Sequence, residues 1–230
     1  MSNSHGGHRA RLKQRFLEHG LDNFNDLNAL ELLLFYAIPR QDTNVTAHHL
    51  LDRFGSFASV MEATFEELTA VPGVGENAAT LLKLISQIDR RYLISKTKER
   101  PLIRSSTQAG EILIPRYRYA REEIIYLLCL DSRNQLISCE EMGRGTLGEA
   151  NISVRAIVEM ALKRNAAAVI LSHNHVDGFA IPSQADRYAT KQIFEALKLV
   201  GITLADHIVV AGDDFVSFAD SGLLELARIY

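Results

Sequence analysis

Hydrophobic positions along the chain follow two different spacings, which divide it into two parts. Up to about residue 93, apolar residues recur at helical intervals that are broken by capping residues, glycine and proline. This pattern predicts helices over residues 9–19, 27–37, 44–54 and 76–93, with a capping box from Thr64 to Glu67 between them. Since no strand-like alternation interrupts this part, we expect a small all-α domain over residues 1–95.

The second part has short apolar runs that alternate with amphipathic segments. Strands are predicted over 124–130, 135–142, 167–172, 202–210 and 215–218. Helices are predicted over 153–165 and 184–200, with a short one over 107–114 that Pro115 is expected to close. This order predicts an α/β domain over residues 101–230, in which helices flank a mixed sheet. The polar, charged segment 95–101 between the two parts is the expected linker.

The residues most suited to metal chemistry follow the third predicted strand. Two histidines that are two positions apart in an extended segment point the same way, so His173 and His175 can bind the same metal ion. Asp186 follows at the start of a predicted helix and can supply a third donor. Zinc accepts histidine nitrogen and carboxylate oxygen, and catalytic sites usually combine three protein ligands with one water. The joint spacing predicts one Zn²⁺ per chain, held by His173, His175 and Asp186.

Each half of this pattern also has an ordinary explanation. A His-x-His pair is common, and Ser183 with Asp186 three residues later matches a helix N-cap followed by an acid in the first turn. Ser183 is therefore expected to cap the helix whatever else it does. His207 follows Asp206 in an apolar strand, and there a structural or supporting role is favoured over metal ligation. The His-x-Glu and Pro-Cys-x-x-Cys motifs of zinc deaminases are missing from the sequence.

Composition narrows the protein class. With 47% hydrophobic and 23% charged residues, the chain can form packed cores, and its net charge of −3 gives no general field for nucleic acid. No apolar run reaches the roughly 20 residues that span a bilayer, so no membrane partner is expected. Cys129 and Cys139 lie in apolar stretches and are expected to be reduced. A cytoplasmic location follows as the expectation.

A glycine-rich turn in the first part is a candidate contact for nucleic acid. Gly73, Val74 and Gly75 follow Val71 and Pro72 and precede a predicted helix, as in the hairpin of a helix-hairpin-helix module. Backbone N–H groups at such a helix start can hold a phosphate without reading bases. The alternative is a plain turn that packs two helices. Glu76 and the acidic balance of this part weaken the DNA interpretation, so any contact is expected to be weak and independent of sequence.

Two family resemblances rest on these residues. His173, His175, Ser183 and Asp186 are spaced as in the JAMM (MPN+) metalloprotease motif, although Val176 stands where that family usually has proline. Proline would stiffen the turn after the second histidine. Asn174, together with the segments 145–147, 153–155 and 206–210, further resembles bacterial RadC proteins. The resemblance is strong over about residues 101–224 and looser before them.

The resemblance implies both a fold and a reaction. It implies an MPN/JAB domain, related to the cytidine-deaminase-like fold, and a zinc-dependent peptidase or isopeptidase that uses a metal-activated water on a protein or peptide substrate. Ser183 would donate to the oxyanion. The general base would be a glutamate before the first central strand, where Glu122 and Glu123 are the candidates. We favour Glu123, which lies two residues before the bulky Ile125.

The resemblance leaves a second function open. RadC proteins are traditionally described as DNA-repair proteins, and that description does not follow from a metal site. The alternative function is therefore a DNA-associated adaptor that contacts DNA through the hairpin. In such an adaptor the metal site would be structural or vestigial.

Overall fold

The structure, a computed structural model, describes residues 4–39, 41–96, 100–145, 154–176 and 178–225. Several residues used in the sequence analysis lie outside these ranges: Thr146, Leu147, Ser153 and part of the predicted linker, 97–99. The chain divides into two compact units, Met1–Asp89 and Arg90–Tyr230. That division falls before the predicted linker, within a helix. Independent folding of the two predicted domains stays a prediction.

The first unit contains the predicted helices and one more. They are α1 (Ser4–His19), α2 (Asp26–Leu34), α3 (Thr43–Phe54), α4 (Phe57–Glu62), α5 (Phe65–Thr69) and α6 (Glu76–Ser95), which continues into the second unit. The capping box at Thr64 and Glu67 is formed and begins α5. Helix α4 was not predicted, because its six residues are too few to establish a helical period. Ser56 caps it by accepting a hydrogen bond from the Ser59 N–H.

The core of the first unit is formed by apolar side chains that these helices turn inward. The fully buried members include Leu30, Leu34, Leu50, Val60, Leu68, Ala79 and Leu82. Leu30 and Leu34 on α2 are four residues apart and Ala79 and Leu82 on α6 are three apart, which is the spacing that places residues on one helical face. The hydrophobic pattern of the sequence thus accounts for this unit.

The second unit is a five-stranded mixed sheet with helices on both faces. Its elements are α7 (Ser106–Tyr117), β1 (Ile124–Leu130), β2 (Leu136–Arg144), α8 (Val154–Lys163), β3 (Ala168–Asn174), α9 (Gln184–Leu199), β4 (Thr203–Ala211) and β5 (Asp214–Ser217). The strands lie in the order β2-β1-β3-β4-β5. Among the strands of the described residues, only β3 and β4 pair in parallel, and α9 connects them. The predicted α/β fold with a mixed sheet is confirmed.

The alternation of side chains along the central strands creates two cores. On one face, Ile125, Leu127 and Leu171 pack with residues of α8 and α9. On the other face, Tyr126, Leu128 and Ile170 pack with residues of α7. The central strands β1 and β3 are buried along their whole length because helices cover both faces.

The predicted end of α7 was wrong. The helix does not close at Pro115 but includes it and continues to Tyr117. Tyr117 is buried, and its hydroxyl donates a hydrogen bond of 2.8 Å to Ser172 on β3. Since proline costs a helix one backbone hydrogen bond, tertiary packing of the last turn outweighs the local preference here.

None of the helices in the described part of the chain is long and apolar enough to cross a membrane.

Candidate metal centre

The candidate centre lies at the carboxyl end of β3. His173 belongs to the strand, which runs two residues beyond its predicted end, and its side chain is 1% exposed. His175 follows the strand, and its backbone N–H donates to the Val210 carbonyl at 2.8 Å, which continues the pairing with β4. Both imidazoles are therefore attached to backbone that the sheet holds in place. Ligand sites of α/β folds commonly lie at this edge of a sheet.

Helix α9 brings Asp186 to the same point. Ser183 is the N-cap of α9 and forms a capping box with Asp186, so the predicted cap is present. The Ser183 N–H and hydroxyl both donate to Asp186 Oδ2, at 2.7 and 2.6 Å. These bonds leave Asp186 Oδ1 directed at His173 Nε2, 3.2 Å away. The first turn of the helix thus orients the carboxylate toward the histidines.

The three side chains offer donor atoms at separations that suit a tetrahedral ion. His173 Nε2 lies 3.1 Å from His175 Nε2, and His175 Nε2 lies 3.6 Å from Asp186 Oδ2. Ligands about 2.0–2.1 Å from zinc at tetrahedral angles stand about 3.3 Å apart. Among the described residues, these three form a group that could hold a metal ion. The donor set fits zinc in both geometry and chemistry, although other divalent metals accept nitrogen and oxygen as well.

A chain of hydrogen bonds fixes which nitrogen of His173 is free. The Thr190 hydroxyl donates to the Asp186 carbonyl at 2.5 Å and lies 2.6 Å from His207 Nδ1. Because a hydroxyl has one proton, it must accept from His207 Nδ1. His207 Nε2 then accepts from His173 Nδ1, 2.9 Å away. The lone pair of neutral His173 is therefore on Nε2, the atom that faces the centre.

Burial keeps His207, which supports His173 through this hydrogen bond, neutral. Burial lowers the pKa of His207 well below its ordinary value, and the neighbouring His173 lowers it further. A neutral imidazole can donate at one nitrogen and accept at the other, as the chain requires. The structure therefore places His207 in the supporting role favoured from the sequence. Orientation of a ligand histidine by a second hydrogen bond is usual in metal sites.

The loop after β3 fixes the second histidine in a similar way. His175 Nδ1 lies 3.1 Å from the Phe179 carbonyl, which can only accept, so Nδ1 carries the proton and Nε2 is free. The same carbonyl accepts from the Ile181 N–H at 2.7 Å. Val176, in the position where proline was expected, is 40% exposed. One hydrogen bond thus joins the Phe179 carbonyl to the ligand His175, and this bond needs no proline at position 176.

Asp186 is ionised in this environment. Burial alone would raise its pKa, but hydrogen bonds and charge from His173 and hydrogen bonds from Ser183 outweigh burial and hold the pKa below its ordinary value. A metal binds the unprotonated forms of its ligands, so protons compete with it and metal binding is expected to weaken at acidic pH.

Strand register separates the two candidate bases. Ile125 pairs directly with His173 across β1 and β3, so both side chains lie on one face of the sheet. The strand begins at Ile124, and its alternation, carried one and two residues further back, predicts half-buried Glu123 on that face and Glu122 on the other. Glu122 is 55% exposed and bonded to Arg144 at 2.9 Å. The assignment of Glu123 as the base stays a prediction, and the register agrees with it.

The glycine hairpin lies in the first unit, between α5 and α6. A Cβ on Gly73 would stand 2.6 Å from the Thr46 hydroxyl, and its φ of +88° is one that other residues rarely adopt. A Cβ on Gly75 would meet nothing within 4 Å. Both glycines line a cavity of about 560 Å³ that is also lined by the start of α6, including Glu76. The need for glycine is therefore structural at position 73, while the space beside Gly75 is open.

Three contributors to the centre were missed or underweighted in the sequence. Thr190 lies four residues after Asp186, on the same face of α9, and that spacing was its only signal. Phe179 acts through its carbonyl, which no side-chain pattern reveals. Asn174, used only for the family resemblance, bonds the backbone beside Glu123.

Comparison with known proteins shows the family of the chain. Residues 103–223 match the model of a family described as the RadC-like JAB domain. The chain belongs to this family. UPF0758 proteins resemble the RadC-like chain over nearly its whole length. One from Fusobacterium nucleatum is 35% identical, covering 95% of this chain and 97% of the relative. One from Burkholderia cenocepacia is 38% identical and covers 93% of this chain and 83% of the relative. One from Rhodobacter capsulatus is 39% identical and covers 93% of this chain and 100% of the relative.

Proposed function

We propose that the chain is a zinc-dependent hydrolase that cleaves a peptide or isopeptide bond. The observation that carries this proposal is the convergence of three donor atoms from His173, His175 and Asp186, with both histidines held in the tautomer that leaves Nε2 free. Family membership in the RadC-like JAB domain supports a metal-site function. It leaves the substrate and the reaction open, and these are part of the proposal.

The roles of the chain's residues follow from their positions. When bound, zinc would acidify a water and polarise the scissile carbonyl. Glu123, which the register of β1 predicts on the face that carries His173, would accept a proton and return it to the leaving amine. Ser183 is an exposed N-cap whose hydroxyl donates to Asp186. To stabilise an oxyanion, that hydroxyl would have to turn from the carboxylate toward the substrate. Ser183 also orients the ligand Asp186, and this role needs no such rotation.

The proposal is tested with zinc-loaded full-length protein and a library of peptides prepared from a bacterial proteome. We expect new amino termini, detected by mass spectrometry, that grow with time and are lost when a chelator removes the metal. Their return after zinc is restored is the matched control. If the protein has bound one equivalent of zinc but yields no new termini, the hydrolase proposal is wrong and the metal site has another role.

A second candidate function is a DNA-associated adaptor. The observation that favours it is the open space beside Gly75 at the start of α6, where the first N–H groups of a helix have no partner within it. Against it, Glu76 lines the same cavity, and a carboxylate would repel a phosphate there. We therefore rank this function below the hydrolase.

We expect the full chain to bind duplex DNA weakly, without sequence preference and with steep salt dependence. Fluorescence anisotropy at micromolar protein and roughly 50 mM salt, the range of non-specific binders, measures this. Gly75→Val should abolish binding with little change in stability, because a Cβ at this position would meet nothing within 4 Å. Gly73→Val is less informative, since it should destabilise the fold through Thr46. A His173→Ala/His175→Ala protein should bind DNA normally. Unchanged binding by Gly75→Val would leave the hairpin as packing alone.

A further inference from the structure

Asn174 lies between the two histidine ligands in sequence, but its side chain serves a different segment. It is 5% exposed, at the end of β3. Its Oδ1 accepts a hydrogen bond of 2.7 Å from the Ile124 N–H, and its Nδ2 donates to the Glu122 carbonyl at 3.3 Å. Both partners are backbone groups, and they belong to the residues immediately before and after Glu123.

These hydrogen bonds begin where the regular sheet pairing ends. Ile125, opposite His173, is the first residue of β1 that pairs with β3. Before Ile125, the Asn174 side chain makes hydrogen bonds to the backbone in place of strand pairing with β3. On the other side, the Gly145 N–H donates to the Glu123 carbonyl at 2.8 Å. The backbone is thus bonded at residues 122, 123 and 124, from both neighbouring strands.

The chemistry of the side chain suits this task. A carboxamide offers an acceptor and donors on one planar group, so it can satisfy an N–H and a carbonyl together. Aspartate would lose the donor, and alanine would leave both backbone groups to find other partners. Since a buried backbone group without a partner is costly, removing the amide should loosen this segment.

We propose that Asn174 is a positioning residue that holds the backbone on both sides of Glu123, and so fixes Glu123 on the face of the sheet that carries His173. The hydrogen-bond clamp follows from the geometry alone. Its importance for catalysis rests on the proposed hydrolase function. Asn174 thereby connects the metal ligands and the base: the strand end that presents His173 also holds the segment that presents the base.

The experiment compares Asn174→Ala with a matched control, Ser172→Ala, in the zinc-loaded full chain. Ser172 lies two residues earlier on β3, and its variant loses one buried side-chain hydrogen bond, from Tyr117, where Asn174→Ala loses two. Hydrogen exchange measured by NMR should be faster at the Ile124 amide of Asn174→Ala by about tenfold or more, the equivalent of one hydrogen bond. Exchange at Leu127, in the middle of β1, should change no more than in the control. Zinc content should stay at one equivalent in both variants.

The role in positioning is measured on a peptide that the wild-type protein cleaves. Asn174→Ala should lower kcat and leave KM unchanged, while Ser172→Ala should change neither. If the Ile124 amide exchanges no faster than in the control, or if it does so while kcat is unchanged, the inference is overturned. If the wild type cleaves none of the library peptides, the hydrolase proposal fails by itself. Faster exchange at Ile124 would then support the clamp alone.

Discussion

A His173→Ala/His175→Ala protein should lose its zinc, whereas the wild type should retain one equivalent per chain after dialysis. The reason is that the two Nε2 atoms supply two of the three donors, and the remaining Asp186 carboxylate cannot hold the ion alone. Loss of even an outer partner of a metal site costs about 10- to 100-fold in affinity, so the double variant should lose more. Elemental analysis and competition with a chromophoric chelator measure stoichiometry and affinity.

Two other histidines of the chain provide a matched control for this experiment. His48 and His49 lie on α3 in the first unit, and the ring of His49 forms a hydrogen bond with the Pro72 carbonyl. A His48→Ala/His49→Ala protein removes the same number of imidazoles and should keep full zinc. Should the site variant also keep full zinc, the assignment of His173 and His175 as ligands is wrong.

The second large effect is expected at the base. Glu123→Gln should leave zinc bound and the fold intact, but it should lower peptide cleavage by about 10²- to 10⁴-fold, the usual contribution of a general base. The amide has nearly the shape of the carboxylate but cannot accept the proton. Initial rates on a single peptide, with zinc content and thermal unfolding measured in parallel, separate this effect from loss of metal or fold.

Glu122→Gln is the control that the register provides. Glu122 forms an exposed ion pair with Arg144, a kind of pair worth about 1 kcal/mol or less. We expect it to keep most of the activity. If Glu122→Gln were the inactive variant and Glu123→Gln the active one, Glu122 would be the base. The assignment of the base from the strand register would then be wrong by one residue.

The architecture of both units could be predicted from the sequence because their apolar residues recur at clear helical or strand spacings. The continuous apolar run 124–130 predicted β1 with its observed bounds, and the capping residues predicted α5 and the start of α9. Predictions based on local signals were wrong where packing outweighed them. Pro115 did not end α7, because burial of Tyr117 extends the helix beyond it. Helix α4 was missed because its six residues are too few to show a helical period.

The sequence by itself determined the chemistry of the site: two imidazoles, a carboxylate and a capping serine at a spacing that one strand end and one helix start can bring together. Only the tertiary structure decided how these groups are held. Thr190 and His207 set the tautomer of His173, the Phe179 carbonyl sets that of His175, and Asn174 holds the segment of Glu123. The contacts of His207 and Asn174 join residues from different elements. Periodicity reports which face a side chain occupies, but not what it meets there, so such contacts exist only once the elements have packed.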